Sequence, residues 1–198
     1  MILTEISAPP SEAVPVRAFA DHLRLGSGFA DDGSEDAVLE LYLRAAMAAI
    51  EARLGRALLV RPYLCTLSRW REDTSHALPV GPLQSVEAVV LRTAEGVETP
   101  ADADSFSIVR DSQRPRLVGR FGRSLPRIPR GGEAEIRFTA GFGASWTDVP
   151  SDLRQAVMLL AAHFYENRNA TGDSGGLPFG VLVLLEAYRV TRIGGGAL

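Results

Sequence analysis

Lysine is absent from this 198-residue chain, and all 21 of its basic residues are arginine. A Walker-type phosphate loop needs its lysine, as does Schiff-base catalysis, so both chemistries are excluded. Cysteine is nearly absent as well. The single Cys65 cannot close an internal disulfide, and with only His22, His76 and His163 beside it the chain cannot build a cysteine-rich zinc site. Neither metals nor other cofactors are therefore expected. Long apolar runs are also missing: the longest nearly uncharged stretch, Gly175 to Leu185, falls short of the ~20 residues a bilayer span requires, so no membrane association is expected. The N-terminal MILTEISAPPSEAVP has no basic region followed by an apolar one, which argues against a secretory signal and for synthesis in the cytoplasm.

What is present is an ordinary globular composition, 46% hydrophobic and 23% charged with a formal charge of −3. A chain of this size buries about 70% of its unfolded surface, enough for a real core. The apolar spacing changes period twice, from helical to alternating near residue 57 and back near 142. A short helix is expected from Val14 to Arg24, with Val14, Ala18, Leu23 and Leu25 on one face and Gly26 and Gly28 stopping it. A long helix follows, capped by Ser34, with Glu35 and Asp36 at the positive end of its dipole and Gly55 ending it. Two apolar stripes run along it, Val38, Tyr42, Ala45 and Ala49, and beside them Leu39, Leu43, Ala46, Ile50 and Leu54. Such a helix either lies in the middle of the core or turns its second stripe toward another subunit.

Alternating segments then cover Leu58 to Trp70, Ser85 to Arg92, Ser105 to Val109, Arg116 to Phe121 and Glu133 to Phe142. Val89 to Arg92 followed by Glu95-Gly96 predicts one arm and the turn of a hairpin. Residues 110–132, rich in Arg, Pro and Gly, predict a loop with one short strand and no core. Pro150-Ser151-Asp152 opens an amphipathic helix with Leu153, Ala156, Val157, Leu160 and Phe164 on one side. A polar linker, Asn169 to Gly176, leads to a last short helix at Pro178 to Tyr188 and a glycine-rich end. The expected fold is α+β: a small helical bundle formed by the N- and C-terminal helices with an inserted antiparallel β module. Its expected segments are 1–57, 58–142 and 143–198, with the two helical parts packing as one domain.

No catalytic constellation emerges, and no enzyme is expected. Cys65 shares a strand face with Tyr63 and Leu67, the setting of a small buried hydrophobe. His163 lies in a helix without a second histidine four residues away, and His22 and His76 read as ordinary surface histidines. Gly141-Phe142-Gly143 lacks the third glycine of a dinucleotide-binding turn and reads as a strand-to-helix connector. The acid pairs Asp31-Asp32 and Glu35-Asp36 are explained by the helix start they occupy.

Charge is uneven along the chain. Residues 1–51 hold nine acids against three arginines, net −6, whereas residues 110–137 hold eight arginines against three acids, net +5. A GC-rich genome accounts for arginine replacing lysine but not for this clustering. The basic stretch could bind nucleic acid phosphates through Arg116, Arg120, Arg123, Arg127 and Arg130. It could instead meet the acidic region of a second copy, as in a head-to-tail ring, or simply be solvated.

One series of residues carries a family likeness over nearly the whole chain. It runs from Asp32, Ala45-Ala46 and Ile50-Glu51 to Leu54-Gly55-Arg56, then Trp70, Leu78-Pro79 and Pro82-Leu83-Gln84-Ser85-Val86. Thr139-Ala140-Gly141-Phe142-Gly143, Val149 to Val157, Tyr165-Glu166-Asn167-Arg168, Leu184-Leu185 and Tyr188-Arg189 complete it. In this order and spacing the chain resembles the head-tail connector (adaptor) proteins of long-tailed bacteriophages and of gene transfer agents. The resemblance implies a non-catalytic protomer made in the bacterial cytoplasm and assembled, as twelve copies, into a ring in the neck of the particle. Such a ring sits between the portal protein and a tail-side stopper or terminator protein and lets DNA pass without sequence-specific binding. It further implies a C-terminal segment that docks on the portal, here Tyr188, Arg189, Arg192 and Ile193. From the second stripe and the segregated charge, and not from the resemblance, the subunit interface is expected at Leu39, Leu43 and Ile50 on the long helix and at Arg116, Arg120 and Arg123 in the basic stretch.

Overall fold

The computed structural model describes residues 1–25, 35–111, 114–167 and 176–189, and the chain divides into two units. One consists of residues 1–13 and 55–148, the other of residues 14–54 and 149–198. The fold is α+β, with helices drawn from both ends of the chain and antiparallel sheets between them.

The first unit is built on a five-stranded antiparallel sheet. Its strands are β1 (Ile2–Glu5), β2 (Arg61–Leu67), β4 (Leu83–Arg92), β5 (Glu98–Pro100) and β8 (Glu133–Ala140), in the order β1-β2-β8-β4-β5. The central strand is thus the last to be made. Strict alternation in β2 buries Arg61, Tyr63, Cys65 and Leu67 on one face. Across the ladder Tyr63 stands opposite Phe138, and Cys65 opposite Ile136. The rings of Tyr63 and Phe138 stack with centroids 5.5 Å apart, and both Phe138 and Ile136 are fully buried. The expected hairpin is present: β4 pairs with β5, and Gly96 N–H donates to the Thr93 carbonyl in the turn. Strand β1, which sequence periodicity did not reveal, is exposed at every residue and is tied down by Glu5, whose carboxylate meets Arg61 Nε at 2.9 Å.

A second sheet, β3 (Ser75–Ala77), β7 (Arg116–Gly119) and β6 (Phe106–Val109), is three-stranded in the order β3-β7-β6. It corrects the expectation for residues 110–132. That stretch does contribute core, because Leu117 and Leu125 are buried. Backbone bonds from Leu125 N–H to Asp73 O and from Leu78 N–H to Pro115 O, with Trp70 Nε1 donating to Pro126 O, fasten it in place. Gly141 takes φ +139°, and a Cβ there would lie 2.5 Å from Val60 N, so the glycine serves a close backbone approach where the sheet hands over to the next helix.

The second unit is helical: α1 (Val16–His22), α2 (Asp36–Leu54), α3 (Ser151–Glu166) and α4 (Phe179–Leu185). Packing runs from α1 to α2 to α3 to α4. Gly55 ends α2 with φ +64°, the left-handed terminator expected from sequence. On α1 the buried residues are Phe19 and Ala20, with Val14 just before it, and Ala18 is exposed, so its inward face is rotated by one residue from the expected one. Tyr42 of α2 meets Tyr165 of α3 edge-on, with centroids 5.6 Å apart.

Candidate functional site

Among the described residues no group of three or more His, Cys, Asp or Glu side chains is placed to hold a metal, and no helix is long and apolar enough to cross a membrane. Cys65 is buried in the sheet, and burial pushes its thiol up to about 11. A thiol held protonated is a poor nucleophile. Cys65 is expected to stay unlabelled by an aromatic disulfide reagent at pH 8 in the folded protein and to react on unfolding in urea. Prompt labelling without denaturant would contradict its placement.

His76 departs from the surface reading, being 5% exposed. Its Nδ1 accepts from Arg71 N–H at 3.4 Å and its ring meets Trp70 edge-on. Burial, then the Arg71 charge, lower its pKa below the usual 6.5, which makes it a neutral packing residue. His22 is exposed, and His163 lies in α3 with its Nδ1 3.1 Å from the Asn167 amide.

The features that remain are exposed surfaces. Leu39, Leu43 and Ile50, expected to face a neighbour, are 2%, 0% and 0% exposed. They form the helical unit's own core, because α2 turns its second stripe inward against its neighbours, and they offer nothing to another subunit. The large apolar residues α2 leaves open are Val38 and Leu41, at 46% and 65% exposure. Arg116, Arg120, Arg123, Arg127 and Arg130 are all exposed in the β unit. Arg120 is engaged within the protomer, its Nη1 meeting Asp104 Oδ1 at 2.6 Å. Arg116 lies in a cleft of about 260 Å³ with Arg71 and Arg114 and the acids Glu72 and Asp111, and the approach of residues 71–72 to 111–116 is what sequence order hid.

The charge contrast along the chain is also softened by folding. The β unit holds thirteen acids and thirteen arginines, and the helical unit eleven acids and eight arginines. Much of the neutralisation is local: Arg92 gathers Glu98, Glu133 and the buried Glu135, the last at 2.6 Å. One aromatic stands apart from this polar surface. Phe121, between Arg120 and Arg123, is 89% exposed and held at φ +57°. A bulky side chain in the left-handed region costs about 1–3 kcal/mol.

At the C-terminal end, the Tyr188 hydroxyl donates to Asp152 Oδ1 at 2.7 Å, fixing the exit of α4 against the first turn of α3. Arg189 is exposed and pairs with Glu186 at 3.0 Å. Arg192 and Ile193, like Ser34, Gly26 and Gly28, lie outside the described residues.

The whole chain superposes on a chain in the neck of an empty gene transfer agent particle, computed with C6 symmetry, with a TM-score of 0.89, 52% identity and 99% of each chain covered. The chain belongs to the family of gene transfer agent neck proteins. Two further solved structures agree. A chain in the virion of a native gene transfer agent particle matches the neck protein at 50% identity and TM-score 0.87, with 99% of each chain covered. A chain in the neck of a native particle computed with C12 symmetry matches at 46% identity and TM-score 0.85, again over 99% of each. No protein-family model matches the neck protein. No curated protein matches it either. The neck protein is thus a structural component of a particle neck.

Proposed function

We propose that the neck protein is the head-tail connector of its particle, a ring of twelve copies between the portal protein and a tail-side stopper or terminator, through which DNA passes. The observation that carries this reading is 46% identity over 99% of the chain to a neck component in a particle computed with C12 symmetry. The net charge of −3 suits such a passage, since an acidic protein does not grip the phosphates that move through it.

The C-terminal segment docks on the portal in this reading. The Tyr188–Asp152 bond sets where that segment leaves the helical unit, with Arg189, Arg192 and Ile193 beyond it. Removing residues 190–198 is expected to leave a protomer with an unchanged circular dichroism spectrum that no longer attaches to portal-bearing heads. Attachment at the full level would overturn the docking assignment. A different function, nucleic acid binding by the exposed arginines, would show itself as duplex DNA affinity with a steep salt slope, lost on replacing Arg116, Arg120 and Arg123 together.

A further inference from the structure

Helix α4 consists of Phe179, Gly180, Val181, Leu182, Val183, Leu184 and Leu185, with no polar side chain among them. A helix apolar on every side belongs in an interior. Yet only Val181 and Leu185 are buried, while Phe179 and Val183, one turn apart, are 81% and 57% exposed. Helix α2 has the opposite relief. Val38, Leu41, Ala45, Ala48 and Ala52 follow one another at steps of three and four and are all exposed. This outer stripe ends in a floor of alanines, beside which α2's inward face is fully occupied. Among the described residues, one surface carries large exposed side chains and the other an exposed apolar stripe that is mostly alanine.

We propose that these two surfaces are the two halves of the contact between successive copies in the ring: α4 of one protomer lies antiparallel on α2 of the next, with Phe179 over Ala45 and Ala48 and Val183 beside Leu41. This rests on the connector reading above and adds the contact itself. Three observations select a second copy as the occupant. A closed ring of more than two copies requires two different patches on every protomer that fit each other. Helices α2 and α4 both pack on α3, and the faces they turn away from it are separate surfaces of the same unit. Charge fixes the direction. From Ala48 back to Asp36 is about 18 Å along a helix, and the α-helical and 3-10 turns from Phe179 to Tyr188 rise about 15 Å, so the antiparallel arrangement brings Arg189, exposed and paired with Glu186 of its own chain, within reach of exposed Asp36 as a second acid. Large aromatic anchors in small-residue sockets are the usual centres of such contacts.

The full chain carrying both Ala48→Cys and Phe179→Cys tests this, because the native Cys65 is buried and silent. Oxidised in assembled particles, the double variant is expected to give a ladder of covalent multimers beyond the dimer on a non-reducing gel, and neither single variant is. A band that stops at the dimer would mean a two-fold contact and would overturn the proposal, as would no crosslink in particles that contain the variant. Independently, Leu41→Asp and Val183→Asp should each lower incorporation into particles at least tenfold with the urea midpoint of the isolated protein unchanged. Incorporation at the wild-type level would refute the contact while leaving the connector reading intact. Absence of the wild-type chain from purified particles would instead remove the connector reading itself.

Discussion

Replacing Leu43 by alanine is expected to lower the unfolding free energy of the isolated protein by about 2–5 kcal/mol, whereas Leu41→Ala should change it by less than about 0.5 kcal/mol. The two leucines are two residues apart on α2, so propensity and neighbouring sequence are nearly the same for both. Burial is not: Leu43 is 0% exposed and Leu41 65%. Removing Leu43 leaves a cavity among residues that cannot collapse fully, while removing Leu41 takes away surface already in water. Urea denaturation followed by circular dichroism reads the difference directly. Equal shifts of the midpoint would mean that α2 is rotated from the orientation described, and the surface assigned to a neighbouring copy would be lost with it.

Phe138→Ala is expected to cost about 3–5 kcal/mol, a large share of the 5–15 kcal/mol that holds a typical domain folded. Phe138 lies at the centre of β8, opposite Tyr63 on one side and Val86 on the other, with no exposed surface. Its stacking on Tyr63 adds about 0.5–1.5 kcal/mol to what its area alone supplies. Two readouts follow. The urea midpoint should fall steeply, and Cys65, two pairs along the same ladder and on the same face, should become accessible to a thiol reagent under conditions where the wild type is protected. A variant with wild-type thiol protection and midpoint would contradict the central placing of β8.

The architecture was legible because its signals are strong and local. Alternation in β2 named the buried face residue by residue, and the period change marked where helices give way to strands. Individual orientations were less accessible. On α2 the two apolar stripes are adjacent, and periodicity cannot say which neighbour each one meets; the structure places Leu39, Leu43 and Ile50 inside the protomer because α1 and α3 cover that side. Composition hid Leu117 and Leu125, since a stretch can be rich in Arg, Pro and Gly and still deliver two side chains to the core when backbone bonds at its ends hold it down. His76 was hidden in the same way among polar neighbours. Charge counted along the chain overstated the polarity of the fold, because Arg92 and Arg120 find their acids within the β unit. Phe121 left no periodic signal, as a single side chain in a turn belongs to no face.

The place of β8 has a consequence for how the neck protein comes into being. Strands β2 and β4 are separated in the sheet by a strand that follows them by dozens of residues, and α2 packs on a helix from the far side of the β unit's sequence. During translation neither the sheet nor the bundle can close until residues 133–166 have left the ribosome, and contacts of such long separation form slowly. Chains that end before residue 133 are therefore expected to leave both the sheet and the helical bundle open, with the inward face of α2 only partly covered.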